Sequence, residues 1–259
     1  VIGIILISLF VSFQGESFFP LDIDFNAWFW LLLSGVIGIF LGDLFLFKSF
    51  TITGPRVSLL IMSISPPIAA VISWFALGDS LSFFAIVGMI VTISGIVLVI
   101  LTKNADKEKG MKLKYDKIGV VYAILGAFGQ ATGLVMSKIG LQYIDNPFVA
   151  TQIRLYAGII GFIILISWVK RWTPIMQSLN NKKAMGTLSI GSFFGPFLGI
   201  SFSLIAVKYT NPGIVQTITS ITPILIIPFA VYINKEKIGI LDIVGALVAV
   251  CGVSLFFIF

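Results

Sequence analysis

Apolar residues run along this chain in long blocks, and polar residues gather in the short stretches between them. Crossing the hydrocarbon core of a bilayer takes roughly 20 apolar residues in a helix. Nine runs qualify as candidate spans: 1–14, 27–50, 54–77, 81–102, 118–143, 148–170, 185–208, 212–234 and 238–259. The first is short and reads as the tail of a helix. The runs are continuous, not alternating, so they predict helices and not the strands of a membrane barrel. Thr53-Gly54-Pro55 and Thr210-Asn211-Pro212 place a capping residue or glycine before a proline, which marks a helix start. Residues 103–117 form the one charged linker.

The pattern repeats. Residues 38–100, moved by 157 positions, fall on 195–257 without a gap. GIFLG (38–42) meets GPFLG (195–199), and Phe45 meets Phe202. Pro55 meets Pro212, and Ser63-Ile64-Ser65-Pro66 meets Ser220-Ile221-Thr222-Pro223. Asp79 meets Glu236, Gly88 meets Gly245, and Gly95 meets Gly252. Fixed-period self-similarity of this kind marks an internal structural repeat. It divides the chain into a first repeat at 1–102, the linker at 103–117 and a second repeat at 118–259. Span 118–143 has no counterpart ahead of Val1. We therefore read the chain as starting inside a ten-helix polypeptide with five helices per repeat. An odd number of helices per repeat inverts the second copy relative to the first. The expected fold is all-α and polytopic transmembrane, with two inverted five-helix repeats and about nine helices present, the first partial.

Composition agrees with a membrane chain. Apolar residues make up 58% and charged residues 11%, against roughly 25% charged in a soluble domain; mean hydropathy is +1.09. There is no histidine, which removes histidine-based metal ligation and base catalysis, and Cys251 is alone and so forms no internal disulfide. No phosphate-binding GxxxxGK[ST] loop occurs. We expect no cofactor, no metal, no catalytic residue and no nucleic-acid partner. The net charge of +6 lies mostly in loops. Fourteen of the basic residues fall on the side of the linker and three (Lys138, Arg154, Lys208) on the other. By the positive-inside rule the linker is cytoplasmic and the C-terminus lies outside.

With these motifs in view, the chain resembles the drug/metabolite transporter superfamily, in particular the EamA-type ten-helix transporters. The resemblance rests on the Ser-Ile-[Ser/Thr]-Pro cores and on the turns that follow them, Leu77-Gly78-Asp79 and Lys235-Glu236-Lys237. It rests also on the spaced glycines of the closing helices and on Arg154 early in its span. Asp79 departs from the glutamate usual there; Glu236 keeps it. The resemblance covers essentially the whole chain. It implies an integral membrane transporter of a prokaryotic plasma membrane, with both termini cytoplasmic, opposite to the charge count.

The candidate site follows from the broken spans. Pro66 and Pro67 leave the carbonyls of Met62 and Ser63 without helical donors, and Pro223 and Pro228 do the same for Thr219 and Ile224. Free backbone acceptors at membrane depth are tolerated only against protein or a polar cavity. Matched interruptions in two inverted repeats point to a transporter's binding site. Hydroxyls of Ser63, Ser65, Thr219, Ser220 and Thr222 gather at that level. The alternative is an ordinary kink in which Ser and Thr rebond their own backbone. Gln130, Gln152 and Gln216 are amides in apolar spans, suited to substrate binding or to interhelical hydrogen bonding. Asp43 is the acid deepest in a span, a carrier for a coupling proton or one half of an ion pair with Lys48 or Arg56. Arg56 and Arg154 either attract an anionic solute or anchor span ends at headgroups. The glycine patterns bring helices together and admit a homodimer as a further partner. The expected function is secondary transport of a small organic solute by alternating access, in the direction of efflux. The alternative is a non-transporting membrane scaffold or receptor. A membrane enzyme finds no nucleophile–base or metal constellation here.

Overall fold

The structure is a computed structural model that describes residues 1–20, 22–107, 116–225 and 240–258, with a few side chains inside these ranges left undescribed. The helices in chain order are α1 (Ile2–Phe13), α2 (Phe25–Ser34), α3 (Asp43–Ile52), α4 (Pro55–Met62), α5 (Ser65–Leu77), α6 (Phe83–Lys107), α7 (Lys117–Gly140) and α8 (Pro147–Val169). There follow α9 (Trp172–Leu179), α10 (Lys182–Ser192), α11 (Ile200–Tyr209), α12 (Pro212–Thr219), α13 (Thr222–Leu225) and α14 (Ile240–Ile258). No strand occurs among the described residues. Within them Phe25–Ile52, Lys117–Gly140, Pro147–Val169 and Lys182–Tyr209 are each long and apolar enough to cross a membrane.

The starts of the helices follow local chemistry. The side chains of Asp24, Asn146 and Asn211 accept hydrogen bonds from the amides of Asn26, Phe148 and Gly213 at 2.7, 3.0 and 2.8 Å. Each cap satisfies a first-turn donor that has no partner inside the helix. Pro147 and Pro212 follow their caps directly, where the missing N–H costs nothing. Gly54 and Gly78 turn the chain with φ of +83° and +68°, a region that side chains with a Cβ avoid.

The repeat is visible in the helix boundaries. A π-helical stretch at Gly35–Gly42 joins α2 to α3, and another at Phe193–Gly199 joins α10 to α11. The second lies on the first when moved by the repeat distance of 157 positions. α4 and α12 superpose in register at both ends, and α5 and α13 start at matched residues, Ser65 and Thr222. The breaks at 63–64 and 220–221 are therefore one feature present twice. Pro223 stands at the start of α13. Pro66 and Pro67 stand in the first turn of α5, so the spans are not kinked at mid-length but stop and restart.

The chain falls into two compact units, residues 1–41 with 132–209, and residues 42–131 with 210–259. Each draws on both sequence repeats. In the first unit α8 is the buried centre, with Val149, Ala150, Ile153 and Ala157 almost fully covered. α1, α2 and α11 pack around it. Phe10 meets Phe148 and Phe197 at ring distances of 4.7 and 5.6 Å. A methyl on Gly133 would stand 2.6 Å from Gly38 Cα, and one on Gly140 would stand 2.7 Å from Leu31 Cγ.

In the second unit α6 packs along α14. A methyl on Gly95 would lie 2.5 Å from Ala249 N and 2.6 Å from Gly245 O; one on Gly252 would lie 2.5 Å from Thr92 N and 2.9 Å from Gly88 O. Moving up α6 from 88 to 95 thus moves down α14 from 252 to 245, so the two helices are antiparallel. The contacts are reciprocal between repeat-equivalent residues, which is the local two-fold relation that an inverted repeat produces. Glycine is required here because the two backbones touch. α7 carries glycine at 119, 126, 133 and 140, every seventh residue. In this unit Gly126 lies against Gly42 and Leu46, and Gly119 lies against Ile52 and Thr53.

Three parts of the sequence reading lie outside the described residues: most of the linker (108–115), Pro228 and the Lys235-Glu236-Lys237 turn. The side chains of Arg56 and Pro223 are likewise outside. α9 is a helix the apolar-run reading did not anticipate.

Candidate functional site

The breaks in the second unit gather polar side chains from four helices. Gln216 Nε2 on α12 donates to Ser65 Oγ on α5 at 3.0 Å. Ser65 Oγ donates in turn to the carbonyl of Ala127 on α7 at 3.2 Å. One turn further along α7, Gln130 Nε2 donates to Asp43 Oδ1 on α3 at 2.5 Å. Ala127 and Gln130 are three residues apart and share a helix face. The result is a chain of polar contacts from Gln216 to Asp43 among helices that are otherwise apolar. Ser65 is 1% exposed, while Asp43, Gln130 and Gln216 are half-buried. A buried amide left without a partner would cost roughly 2–7 kcal/mol. In this arrangement the amides of Gln130 and Gln216 each have a partner among the described residues.

Near the first break Ser63 is 4% exposed and Met62 half-buried. Near the second, the hydroxyls of Thr219 and Ser220 both donate to the Gln216 carbonyl, at 3.0 and 2.6 Å. This is the rebonding that Ser and Thr perform in distorted helices. So Gln216 is tied at both ends: its carbonyl to the turn that follows it, its amide to α5.

Two candidate residues belong to the first unit. Gln152 is fully buried, and its Nε2 lies 2.8 Å from Ser8 Oγ, 2.7 Å from the Phe18 carbonyl and 2.8 Å from Tyr156 Oη. It holds α1, the loop after α1, and α8 together. Arg154 is 6% exposed, with its backbone carbonyl against Gly35. It lies inside the packed unit and does not reach outward as a headgroup anchor would. The sequence reading therefore named residues of two kinds. Asp43, Met62, Ser63, Gln130, Gln216, Thr219 and Ser220 cluster near the breaks of the second unit, while Gln152 and Arg154 sit in the core of the first.

Three features were not foreseen. Ser8 and Tyr156 complete the surroundings of Gln152; nothing in the local sequence links them, since Ser8 is 144 positions away. Lys48 stands 5.4 Å over the Tyr122 ring, which also stacks on Phe45. That contact places the Lys48 charge on α7. The third is a cavity of about 390 Å³ in the second unit, lined by Pro67, Val71, Trp74, Ile86 and Met89 with Asp79. Asp79 accepts a hydrogen bond from Ser73 at 2.8 Å. The apolar wall was hidden in the sequence because Val71 and Trp74 lie in an apolar run with no polar neighbour to single them out. Among the described residues no cluster of acids and cysteine could hold a metal ion.

The helical fold and its long apolar spans are those of a polytopic membrane protein. The profile of the EamA-like transporter family matches residues 1–101 and 117–258. The chain belongs to the EamA-like transporter family. Members of this family are integral membrane transporters. Among curated relatives, an uncharacterised transporter of Clostridium kluyveri is 23% identical over 86% of this chain and 70% of its own length. The uncharacterised transporter YetK of Bacillus subtilis is 28% identical over 54% of this chain and 39% of its own. A WAT1-related chloroplastic protein of Arabidopsis thaliana is 24% identical over 98% of this chain and 59% of its own. A solved crystal structure shares the fold with a TM-score of 0.72 at 16% identity, covering 98% of this chain and 83% of that one.

Proposed function

We propose that this protein is a secondary transporter that moves a small neutral or zwitterionic organic solute, such as an amino acid, out of the cell by alternating access. The observation that carries the reading is the polar chain Gln216–Ser65–Ala127 O with Gln130–Asp43, set where both repeats break at matched residues. Helix breaks supply backbone carbonyls, and the amides and hydroxyls beside them supply directional donors. Such a lining is rich in hydrogen bonding and poor in charge, which suits polar solutes without net charge. The inverted relation of α6 and α14 supports rocking of two related halves about a fixed site. The excess of Lys and Arg on the linker side supports a cytoplasmic linker in a prokaryotic plasma membrane.

A second assignment rests on the Asp43–Gln130 contact. Asp43 is the acid held in this polar chain, and an intramembrane acid is the natural carrier of a coupling proton. The test for both is flux in proteoliposomes loaded with a panel of labelled amino acids and related metabolites. Saturable flux of at least one neutral solute is expected, with acidification of the opposite compartment that Asp43→Asn removes. Absence of flux for every solute, with the protein folded, would favour a scaffold or receptor. Proton movement unchanged in Asp43→Asn would remove the acid from the coupling role.

A further inference from the structure

The connection between the spans Pro147–Val169 and Lys182–Tyr209 is itself helical. α9 holds eight residues, about 12 Å of helix. Only Lys170 and Arg171 join it to α8, and only Asn180 and Asn181 join it to α10. Links this short keep α9 at the ends of two membrane spans. Its placement is fixed locally. Lys170 ends α8 with φ of +53°, a left-handed conformation uncommon outside glycine, and the Arg171 amide donates back to the Ile166 carbonyl at 3.2 Å. Trp172 Nε1 then donates to Ser167 Oγ at 3.2 Å, which ties the start of α9 to the last turn of α8.

The short helix is amphipathic. Trp172, Ile175, Met176 and Leu179 follow the i, i+3, i+4, i+7 spacing of one face, and Thr173 and Gln177 lie on the other. Trp172, Met176 and Leu179 are 38, 56 and 51% exposed, so the apolar face is not used up against its own unit. Lys170, Arg171, Lys182 and Lys183 stand at the two ends of α9, all exposed. No acid occurs between Asp145 and Glu236, so these four charges have no carboxylate in their own stretch of chain. The equivalent loop of the first repeat, residues 15–26, is the reverse: it carries Glu16, Asp22 and Asp24 and no Lys or Arg. An inverted repeat sets equivalent loops at opposite membrane faces, so the basic copy marks one leaflet.

We propose that α9 lies in the plane of the bilayer interface and, with Lys170, Arg171, Lys182 and Lys183, forms a seat for anionic phospholipid. Trp172, Met176 and Leu179 enter the boundary between headgroups and acyl chains, where an amphipathic surface helix buries its apolar face. The four bases meet the anionic headgroup oxygens at the two ends of the helix, with their aliphatic stems along the apolar layer. A lipid without net charge covers the apolar face and leaves the bases unmatched, so the seat selects headgroups of net negative charge. Because α9 is tied to α8, the buried centre of the first unit, lipid held there steadies that unit. This inference concerns the bilayer surface and stands whether or not the protein transports.

The test has two parts. In the first, the thermal unfolding midpoint in neutral detergent is followed as phosphatidylglycerol, phosphatidylcholine of the same acyl chains or inorganic phosphate is added. The parent is compared with a fourfold variant, Lys170→Gln, Arg171→Gln, Lys182→Gln and Lys183→Gln, and with a control in which the linker residues Lys107, Lys109, Lys112 and Lys114 become Gln. Phosphatidylglycerol is expected to raise the midpoint of parent and control at a concentration at least tenfold lower (~1.4 kcal/mol) than in the α9 variant, while phosphatidylcholine and phosphate do not separate the three. In the second part a nitroxide label is placed by Met176→Cys or Gln177→Cys, with the exposed Cys251 replaced by Ser, in phosphatidylcholine vesicles that contain phosphatidylglycerol. The label at 176 is expected to be reached by oxygen and shielded from a water-soluble nickel chelate, and the label at 177 to be open to the chelate. Four results would overturn the proposal: an equal response to the two lipids; an equal loss in the linker control; inorganic phosphate acting as well as phosphatidylglycerol; or a label at 176 as open to the chelate as the one at 177. The labels keep all four bases, so they decide the matter if the fourfold variant does not fold.

Discussion

Gln152 and Gln216 are the same residue type in similar apolar surroundings, yet the structure gives them different work. Gln152 is closed in by Ser8, the Phe18 carbonyl and Tyr156 with no exposed surface. Removing a buried partner leaves the others unsatisfied, at about 1–3 kcal/mol. Gln152→Leu should therefore lower the thermal unfolding midpoint in detergent while leaving the KM for any transported solute within about twofold, a limit chosen at ~0.4 kcal/mol. A KM shift of tenfold with unchanged stability would reverse that assignment. A glycine comparison makes a parallel prediction. Gly133→Leu has Gly38 Cα in its way at 2.6 Å, whereas Gly195→Leu has open space in the 1–259 chain. The first should cost about 1–3 kcal/mol by overpacking and the second almost nothing, read as unfolding midpoints of the 1–259 chain in detergent. Equal losses would mean that the α7 seam is not built on backbone contact. These differences could not be read from residue type. Gln152 depends on Ser8, 144 positions away, and Gln216 depends on Ser65, 151 positions away. Arg154 was harder still, because a charge near the end of an apolar run reads as a headgroup anchor, and only the packing of α8 reveals its burial.

The helices themselves were legible where turn chemistry announced them. Asn146-Pro147, Asn211-Pro212 and Thr53-Gly54-Pro55 became starts because cap and proline act through local bonds. The stop and restart at 63–64 was legible from Pro66 and Pro67, although their position in a first turn was not. α9 was missed because a search for long apolar runs finds spans and passes over an eight-residue helix between basic residues. The π-helical stretches were missed too, since GIFLG and GPFLG suggest close packing but not a wider helical turn. The seam between α6 and α14 carries a prediction of its own. Gly95→Val and Gly252→Val would each press a side chain into the opposing backbone at 2.5 Å. Because the contacts are reciprocal, the two single variants should destabilise the protein by similar amounts, about 1–3 kcal/mol each. A large effect of one and none of the other, by thermal unfolding, would break the two-fold relation.

For the whole molecule, the internal repeat is what makes function arguable at all. It explains why breaks and π-helical stretches occur in pairs, and it shows a feature that does not: Asp43 has Ile200 as its counterpart. The polar chain is the central claim, and solute counterflow through proteoliposomes tests it most directly. The protein would be compared with its Gln216→Leu variant, using the solute that the metabolite panel identifies. The expected result is saturable counterflow that falls at least tenfold (~1.4 kcal/mol or more) in Gln216→Leu, with an unfolding midpoint close to that of the parent. Counterflow of full rate and unchanged KM in a folded Gln216→Leu protein would contradict the account.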